Sequence, residues 1–190
     1  MSWPFGNLTP LSFDLIMVDW PWRHEMRSEK GVTAKSAGSQ YDTMSIEEIA
    51  KWPLADLGRG HAVFWIWATH AMINHQIEVT KRQGLTFSTT GVWVKRTVNG
   101  KLAFGTGQRL RCASEPFIIA TLGAPLTARN VRTVIEGPIR EHSRKPDEAY
   151  AAAEALYPGA LNRADIFARE SRPGWVSFGN EAEKFDERVA

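Results

Sequence analysis

Short apolar runs alternate with helix-like segments along this chain of 190 residues. Apolar runs of this length are typical of strands buried on both faces, and the periodic segments between them are typical of helices that connect such strands. A chain with this alternation is expected to fold as an α/β domain around a largely parallel sheet. Buried strands are predicted at 15–18, 62–68, 87–94, 117–121 and 164–168, and the segment 175–178 is a candidate for another.

Three segments carry the signals of helix ends. Ser45 and Glu48 have the spacing of a capping box, which predicts a helix from there to about Leu57. A second helix is predicted over 70–83, because its apolar residues recur on one face. A third begins with Pro146 as its first helical residue, where a missing N–H costs nothing.

Two long segments, 23–43 and 96–114, fit neither pattern. Both are polar and basic. Connections of this length are usually binding loops or lids, so we interpret both as candidate loops that hold a phosphate backbone. Lys95, Arg109 and Arg111 are the expected contacts. A merely solvated surface is the alternative interpretation.

Composition bounds the class of protein. A chain of 190 residues with 43% hydrophobic content suits one domain, 1–190, and a formal net charge of +2 means that any polyanion has to be bound by local patches. The one cysteine excludes an internal disulfide, and the histidine spacing suggests no metal site. Neither a signal peptide nor a membrane span is recognisable, so we expect a cytoplasmic protein without membrane contact.

The turn after the first predicted strand, Asp19-Trp20-Pro21-Trp22, combines groups that suit an aromatic amine. It lies at the carboxyl end of a buried strand, where α/β sheets bind ligands. An exocyclic amino group on a base is a poor nucleophile because its lone pair is delocalised into the ring. The Asp19 carboxylate and the Trp20 carbonyl can each accept one amino hydrogen, which favours attack by the nitrogen, and Trp22 can stack on the base. The alternative is that Asp19 only caps the following segment.

The chain resembles the MT-A family of adenine N6-methyltransferases, which includes bacterial and phage DNA enzymes and the catalytic subunit of the eukaryotic messenger-RNA adenosine methyltransferase. The matching pieces keep the family's order: FDLIMVDWPW (13–22), QYDTMSIEEI (40–49), AVFWIWAT (62–69), FGTG (104–107), REHSRKPDEAY (140–150) and FARESRPGWVSFGNE (167–181). Several unrelated matches in one order are far more specific than the tetrapeptide alone. The resemblance implies a Rossmann-like S-adenosylmethionine-dependent fold, with helices on both faces of a mostly parallel sheet and a permuted motif order.

The resemblance also implies roles for individual residues. Asp19, Pro21 and Trp22 match the catalytic motif, usually Asp-Pro-Pro-Trp, and Trp20 departs from it. The residues that correspond to the family's cofactor contacts are Lys145, for the methionine carboxylate of S-adenosylmethionine, and Arg169, Asn180, Glu181, Asn7 and Leu8, for the ribose and adenine. The residues that the family places around the target base are Tyr41, Glu115, His142 and Ser143.

Two alternatives from other classes stay open. The departure at Trp20 would suit a catalytically inactive member that binds nucleic acid or a partner subunit, and the same hydrogen-bonding scheme would serve cytosine N4. We expect nucleic acid as the substrate, DNA in preference to RNA, and we leave open a homodimer or a partner subunit. No separate recognition domain is apparent, so the two basic loops or a partner would choose the sequence.

Overall fold

The computed structural model describes residues 2–22, 43–107, 109–141 and 144–186. Its strands are β1 Phe13–Val18, β2 Gly58–Trp67, β3 Thr86–Arg96, β4 Ser114–Leu122, β5 Val134–Pro138, β6 Arg163–Ile166 and β7 Trp175–Phe178. The α-helices in these ranges are α1 Ile46–Ile49, α2 Ile73–Arg82 and α3 Asp147–Leu156, with a 3-10 helix at Leu54–Leu57. None of these described helices has the length and apolar character needed to cross a membrane.

The strands form one seven-stranded sheet in the order β5-β3-β4-β2-β1-β6-β7. β1 pairs in parallel with β2 and β6, and β7 continues parallel to β6. β4 runs antiparallel to both β2 and β3, because β3 and β4 follow each other without a crossover helix, whereas β5 is again parallel to β3. The predicted mostly parallel sheet is confirmed, with β4 as the reversed strand.

The sheet has a core on each face. Successive side chains of a strand point to opposite faces, so Ile16 and Val18 of β1 pack in one core with α2, whereas Leu15 and Met17 pack in the other with α3. All six residues of β1 are buried. The prediction of helices on both faces is therefore confirmed, and the strand that leads to Asp19 is held firmly in the centre of the molecule.

The helix predicted from Ser45 to Leu57 is wrong in length. The capping box forms, with Glu48 in both of its hydrogen bonds, but α1 has only four residues. Pro53 has no N–H to donate and disfavours helical backbone in the residue before it, so the chain turns and continues as the 3-10 helix.

Two further details differ from the predictions. β5 is not predicted, because it is an edge strand with alternating exposed and buried residues and ends in a glycine and a proline, which argue against a strand. Pro146 is the N-cap of α3 and not its first helical residue. The other predicted strands and the helix predicted over 70–83 are present, with ends shifted by at most four residues.

Candidate active site

Asp19 lies at the carboxyl end of β1, where it lines three cavities. Its backbone N–H donates to the Ile166 carbonyl at 3.0 Å, which ties the turn to the end of β6. Asp19 lines an open cleft of about 1040 Å³, a side pocket of about 110 Å³ and a small cavity of about 10 Å³. This edge of a parallel sheet is where α/β proteins bind ligands. Asp19 is the one residue that all three of these cavities share.

A chain of ion pairs connects Asp19 with the cleft. The Lys145 Nζ lies 3.0 Å from Asp19 Oδ2 and 2.5 Å from Glu115 Oε1. On the other side of Glu115, the Lys95 Nζ lies 2.7 Å from Oε2. The Lys145 side chain is only 7% exposed and its ammonium also lies over the ring of Trp67, at 5.0 Å from the centroid. Two cations and two carboxylates therefore alternate along this wall of the cleft.

The same contacts set the charges of these groups. Burial raises the pKa of the Asp19 carboxyl, although the ammonium of Lys145 opposes the rise. Burial would also raise the pKa of Glu115, but the ammonium groups of Lys145 and Lys95 outweigh it and lower this pKa to about 2. Burial would lower the pKa of Lys145, yet Asp19 and Glu115 raise it. Lys145 is thus a cation and Glu115 an anion at neutral pH, and Asp19 has the higher proton affinity of the two carboxylates.

The turn itself is fixed by backbone hydrogen bonds and by core packing. The N–H of Trp22 donates to the Trp20 carbonyl at 2.8 Å around Pro21. The ring of Trp20 is 3% exposed, and its centroid lies 5.6 Å from that of Trp52 and 5.3 Å from that of Phe167. Trp22 is 4% exposed, packs in the same core and also lines the cleft. The Trp20 carbonyl is therefore oriented, and its second lone pair can accept another hydrogen.

The side pocket offers polar groups of several kinds around an apolar floor. It is lined by Asp19, Pro21, Met44, Phe167, Ala168, Arg169, Asn180 and Glu181. Arg169 and Glu181 form an ion pair. Gly179 has a φ of +144°, and a Cβ there would lie 2.9 Å from the Cα of Phe167, so this close approach of the two segments requires glycine.

These donor and acceptor types fit the cofactor that the resemblance implies. A guanidinium, an amide and a carboxylate side by side suit ribose hydroxyls and purine nitrogens, and the buried Lys145 suits a carboxylate. Lys145 lines the small cavity, which shares Asp19, Phe167 and Arg169 with the side pocket. An elongated molecule with a nucleoside at one end and an amino acid at the other matches this order of groups.

The sequence model of the MT-A70 family matches residues 13–181. This chain belongs to the MT-A70 family. The predicted resemblance is confirmed, and so is the Rossmann-like fold that it implies. In this MT-A70 chain the turn at 19–22 precedes the side-pocket residues Arg169, Asn180 and Glu181, as a permuted motif order requires.

Individual relatives match nearly the whole chain. The putative N(6)-adenosine-methyltransferase MT-A70-like protein of Medicago truncatula is 30% identical over 89% of this chain and 26% of its own length. N6-methyladenosine RNA methyltransferase MTA1 of Cryphonectria parasitica is 30% identical over 92% and 53% of the two chains. Type II methyltransferase M.MunI of Mycoplasma sp is 23% identical over 93% and 81%. This chain spans about a quarter of the length of the plant relatives that it matches.

Most of the predicted site residues, from the MT-A70 resemblance and from the basic loop 96–114, come together at this edge of the sheet. The cleft is lined by Asp19, Trp20, Trp22, Lys95, Arg109, Arg111, Glu115 and Lys145, and the side pocket by Pro21, Arg169, Asn180 and Glu181. Tyr41, His142, Ser143 and all but the last residue of the loop 23–43 lie outside the described residues, and their roles stay predictions.

Asn7 and Leu8 do not line the side pocket. The Leu8 N–H donates to the Phe5 carbonyl at 3.1 Å, and the Leu8 carbonyl accepts from the Trp3 indole at 2.7 Å, so the backbone groups of Leu8 are used locally. Leu8 is buried in the core and Asn7 is exposed. Their assignment to the adenine of the cofactor stays a prediction of the family resemblance.

Sequence reasoning missed Asp165 and Tyr150. Asp165 of β6 is 3% exposed, and its Oδ2 accepts a hydrogen bond from the Tyr150 hydroxyl at 2.7 Å. Burial raises the pKa of Asp165 to about 7. A signal was available, because a carboxylate inside a strand that is otherwise apolar is rarely buried without a specific partner.

Proposed function

We propose that this chain transfers a methyl group from S-adenosylmethionine to the exocyclic N6 of adenine in nucleic acid. The observation that carries the proposal is the position of Asp19, which lines both the side pocket and the cleft. One pocket suits a nucleoside cofactor, and the other is large enough for a base and part of a strand. A single carboxylate at the junction can therefore contact a donor and an acceptor held on either side.

The cofactor supplies an electrophilic methyl group on a sulfonium. Arg169, Asn180 and Glu181 would hold its nucleoside, and Lys145 its carboxylate. Lys145 is suited to this because burial and two carboxylates already hold it in place, so little side-chain freedom is lost on binding. Met44 and Phe167 give the side pocket an apolar surface on which a purine can pack.

The turn would hold the amine in its reactive geometry. Asp19 accepts one amino hydrogen and the Trp20 carbonyl accepts the other, which directs the nitrogen lone pair out of the plane of the ring. The hydrogen bond from Trp22 to Trp20 keeps that carbonyl in a fixed orientation. As the nitrogen bonds to the methyl carbon, the bond from that carbon to sulfur breaks and the nitrogen gains positive charge, which the Asp19 carboxylate would stabilise. The same carboxylate can accept the proton that the methylated amine loses to become neutral.

The basic wall of the cleft would hold the strand. Lys95, Arg109 and Arg111 all line the cleft, and Arg111 lies over the ring of Phe104 at 5.5 Å. A base in a duplex has to leave the stack to reach Asp19, whereas a base in a single strand reaches it at lower cost. DNA is our first substrate to test, because this chain covers 81% of the length of the Type II methyltransferase M.MunI, and RNA is the second.

The test is a methyl-transfer assay with labelled S-adenosylmethionine on single- and double-stranded DNA and RNA, followed by nucleoside mass spectrometry. We expect N6-methyladenine as the product, loss of transfer in Asp19→Asn, and normal transfer in the matched control Asp56→Asn, which changes an exposed acid of the 3-10 helix. Cofactor binding without transfer to any of these substrates would favour a non-catalytic binding module. N4-methylcytosine as the product would show that the methyl acceptor is the amino group of cytosine and not that of adenine.

A further inference from the structure

Asp165 is a buried carboxylate with one oxygen still available. It lies in β6 opposite Met17 of β1, two residues before Asp19. Tyr150 of α3 donates to its Oδ2 at 2.7 Å. Within the described part of the chain, no hydrogen bond is donated to its Oδ1. The guanidinium of Arg172 lies over the ring of Tyr150, at 3.9 Å from its centroid.

The small cavity lies next to this carboxylate. Besides Asp165, its ionisable lining residues are the acids Asp19 and Glu170, the cations Arg144, Lys145 and Arg169, and Tyr150. Its volume of about 10 Å³ admits one group of the size of a water molecule. The cavity and the side pocket have Asp19, Phe167, Ala168 and Arg169 in common, so the small cavity extends the side pocket toward Asp165.

The charges around this cavity match an amino acid in zwitterionic form. Lys145 presents a buried cation, which suits a carboxylate, and Asp165 presents a buried acid, which suits an ammonium. The other charged groups of the cavity already have counter-ions, since Arg144 pairs with Glu170 and Arg169 pairs with Glu181. An ammonium group has three donors that the Asp165 carboxylate can accept. The proposed cofactor carries both groups on one carbon, and only its carboxylate has been given a partner above.

We propose that Asp165 binds the α-ammonium group of the amino-acid end of the cofactor, beside the Lys145 that binds its carboxylate. This inference rests on the proposed function and extends it to one more ligand. Asp165 is then a cofactor-binding residue, and Tyr150 is a positioning residue, whose hydrogen bond fixes Oδ2 and leaves Oδ1 available for the ammonium.

The proton affinity of Asp165 is consistent with this role. Burial raises the pKa of Asp165 to about 7, and the negative charge of Asp19 adds to the rise. The hydrogen bond from Tyr150 and the positive charges of Arg172 and Lys145 oppose the rise. An arriving ammonium would favour the ionised form, so a protonated Asp165 would release its proton to solvent on binding. In the competing interpretation Asp165 only accepts the hydrogen bond of Tyr150, and cofactor binding does not change the protonation state of Asp165.

The test compares S-adenosylhomocysteine with its analogue in which the α-amino group is replaced by hydrogen, by isothermal titration calorimetry. We expect wild-type protein to bind S-adenosylhomocysteine more tightly by about tenfold or more, since a buried charge-assisted hydrogen bond is lost in the analogue. Asp165→Asn should bind both ligands equally, with an affinity near that of the wild type for the analogue. The control Asp56→Asn, which changes an exposed acid of the 3-10 helix outside the small cavity, should keep the wild-type preference.

A second measurement distinguishes an Asp165 that binds the cofactor from one that only accepts the hydrogen bond of Tyr150. Titrations of wild type near neutral pH in two buffers of different ionisation enthalpy should report a proton released with S-adenosylhomocysteine, and Asp165→Asn should release none. If Asp165→Asn does not fold, both measurements use the double variant Asp165→Ala, Tyr150→Phe, which removes the carboxyl and its hydrogen-bond donor together.

Three results would overturn the inference. Equal affinity of wild type for both ligands would do so while leaving the proposed function intact, and so would a preference that persists in Asp165→Asn. If wild type bound neither ligand, the proposed function itself would fail and the inference with it.

Discussion

The ammonium of Lys145 lies 3.0 Å from the carboxylate of Asp19. The residue expected to hold the cofactor's carboxylate thus contacts the residue expected to hold the base's amine. Glu115 competes for the same ammonium at 2.5 Å. Lys145 can share its ammonium with a bound carboxylate without leaving Glu115 unpaired, because Lys95 contacts the other oxygen of Glu115. The alternating charges therefore allow Lys145 to serve a ligand at a modest electrostatic cost.

Replacement of Lys145 by methionine should weaken cofactor binding and destabilise the fold. Asp19 and Glu115 lose their shared counter-ion, which is expected to cost about 3 kcal/mol of unfolding free energy for a pair buried to this degree. The affinity for S-adenosylhomocysteine should fall about tenfold or more. Urea denaturation and calorimetry measure the two effects, with Lys81→Met on the exposed side of α2 as the control. Unchanged affinity in a folded variant would remove Lys145 from the cofactor site.

Replacement of Trp20 by proline, which restores the usual family motif, should destabilise this protein. The Trp20 ring fills a core position against Trp52 and Phe167, so its loss leaves a cavity worth about 3 to 5 kcal/mol. Trp20→Phe, which keeps a ring, should cost distinctly less. Both are measured as unfolding free energies in urea, and equal midpoints for wild type and Trp20→Pro would show that the ring contributes nothing.

Acid should weaken the fold through Glu115. Its pKa is lowered from 4.5 to about 2 in the folded chain, so its stabilising effect is present above about pH 4.5 and is lost as the pH falls toward 2. The loss over this window can reach about 3 kcal/mol. Glu115→Gln should flatten the dependence of the unfolding free energy on pH in that window. The control Glu136→Gln, in an exposed pair with Arg96, should leave the dependence almost as it is, and a curve for Glu115→Gln that parallels the wild type would contradict the assignment.

Arg109→Ala and Arg111→Ala should each reduce the salt dependence of nucleic-acid binding. If each guanidinium neutralises one phosphate, the slope of log K against log salt should decrease in magnitude by about one for each variant. Fluorescence anisotropy over a range of salt concentrations measures this slope. Arg82→Ala removes a cation of α2 that is paired with Glu47, and it should have no effect. Slopes identical to that of the wild type would show that the two loop residues face solvent and do not contact phosphates.

The strands that position the site can be predicted from the sequence because their apolar runs are short and end at marked residues. Asp19 follows such a run, and its place at the sheet edge results from the parallel pairing of β1 with β2 and β6. The break after α1 is harder to predict, since the capping box favours a helix and the effect of Pro53 depends on how the following turn packs.

The ion pairs of the site cannot be derived from the sequence. Asp19, Glu115 and Lys145 are far apart along the chain, and only the folded sheet brings them together. Asp165 lies within an apolar strand, where alternation assigns it to the core face without identifying Tyr150 as its donor. The sequence does predict, from family resemblance, that Lys145, Arg169, Asn180 and Glu181 belong to one region, and the cavities they line agree with that grouping.

The aromatic packing beneath the turn links residues that no ligand touches to the carbonyl that would hold the amine. Trp52 lines none of the three cavities, yet its ring lies 5.6 Å from that of Trp20. In homologues that have a proline at the position of Trp20, the side chain at the position of Trp52 has to fill a different volume. Positions 20 and 52 should therefore covary, and a graft of this turn into a homologous scaffold should succeed only when the aromatic residues beneath it are transplanted as well.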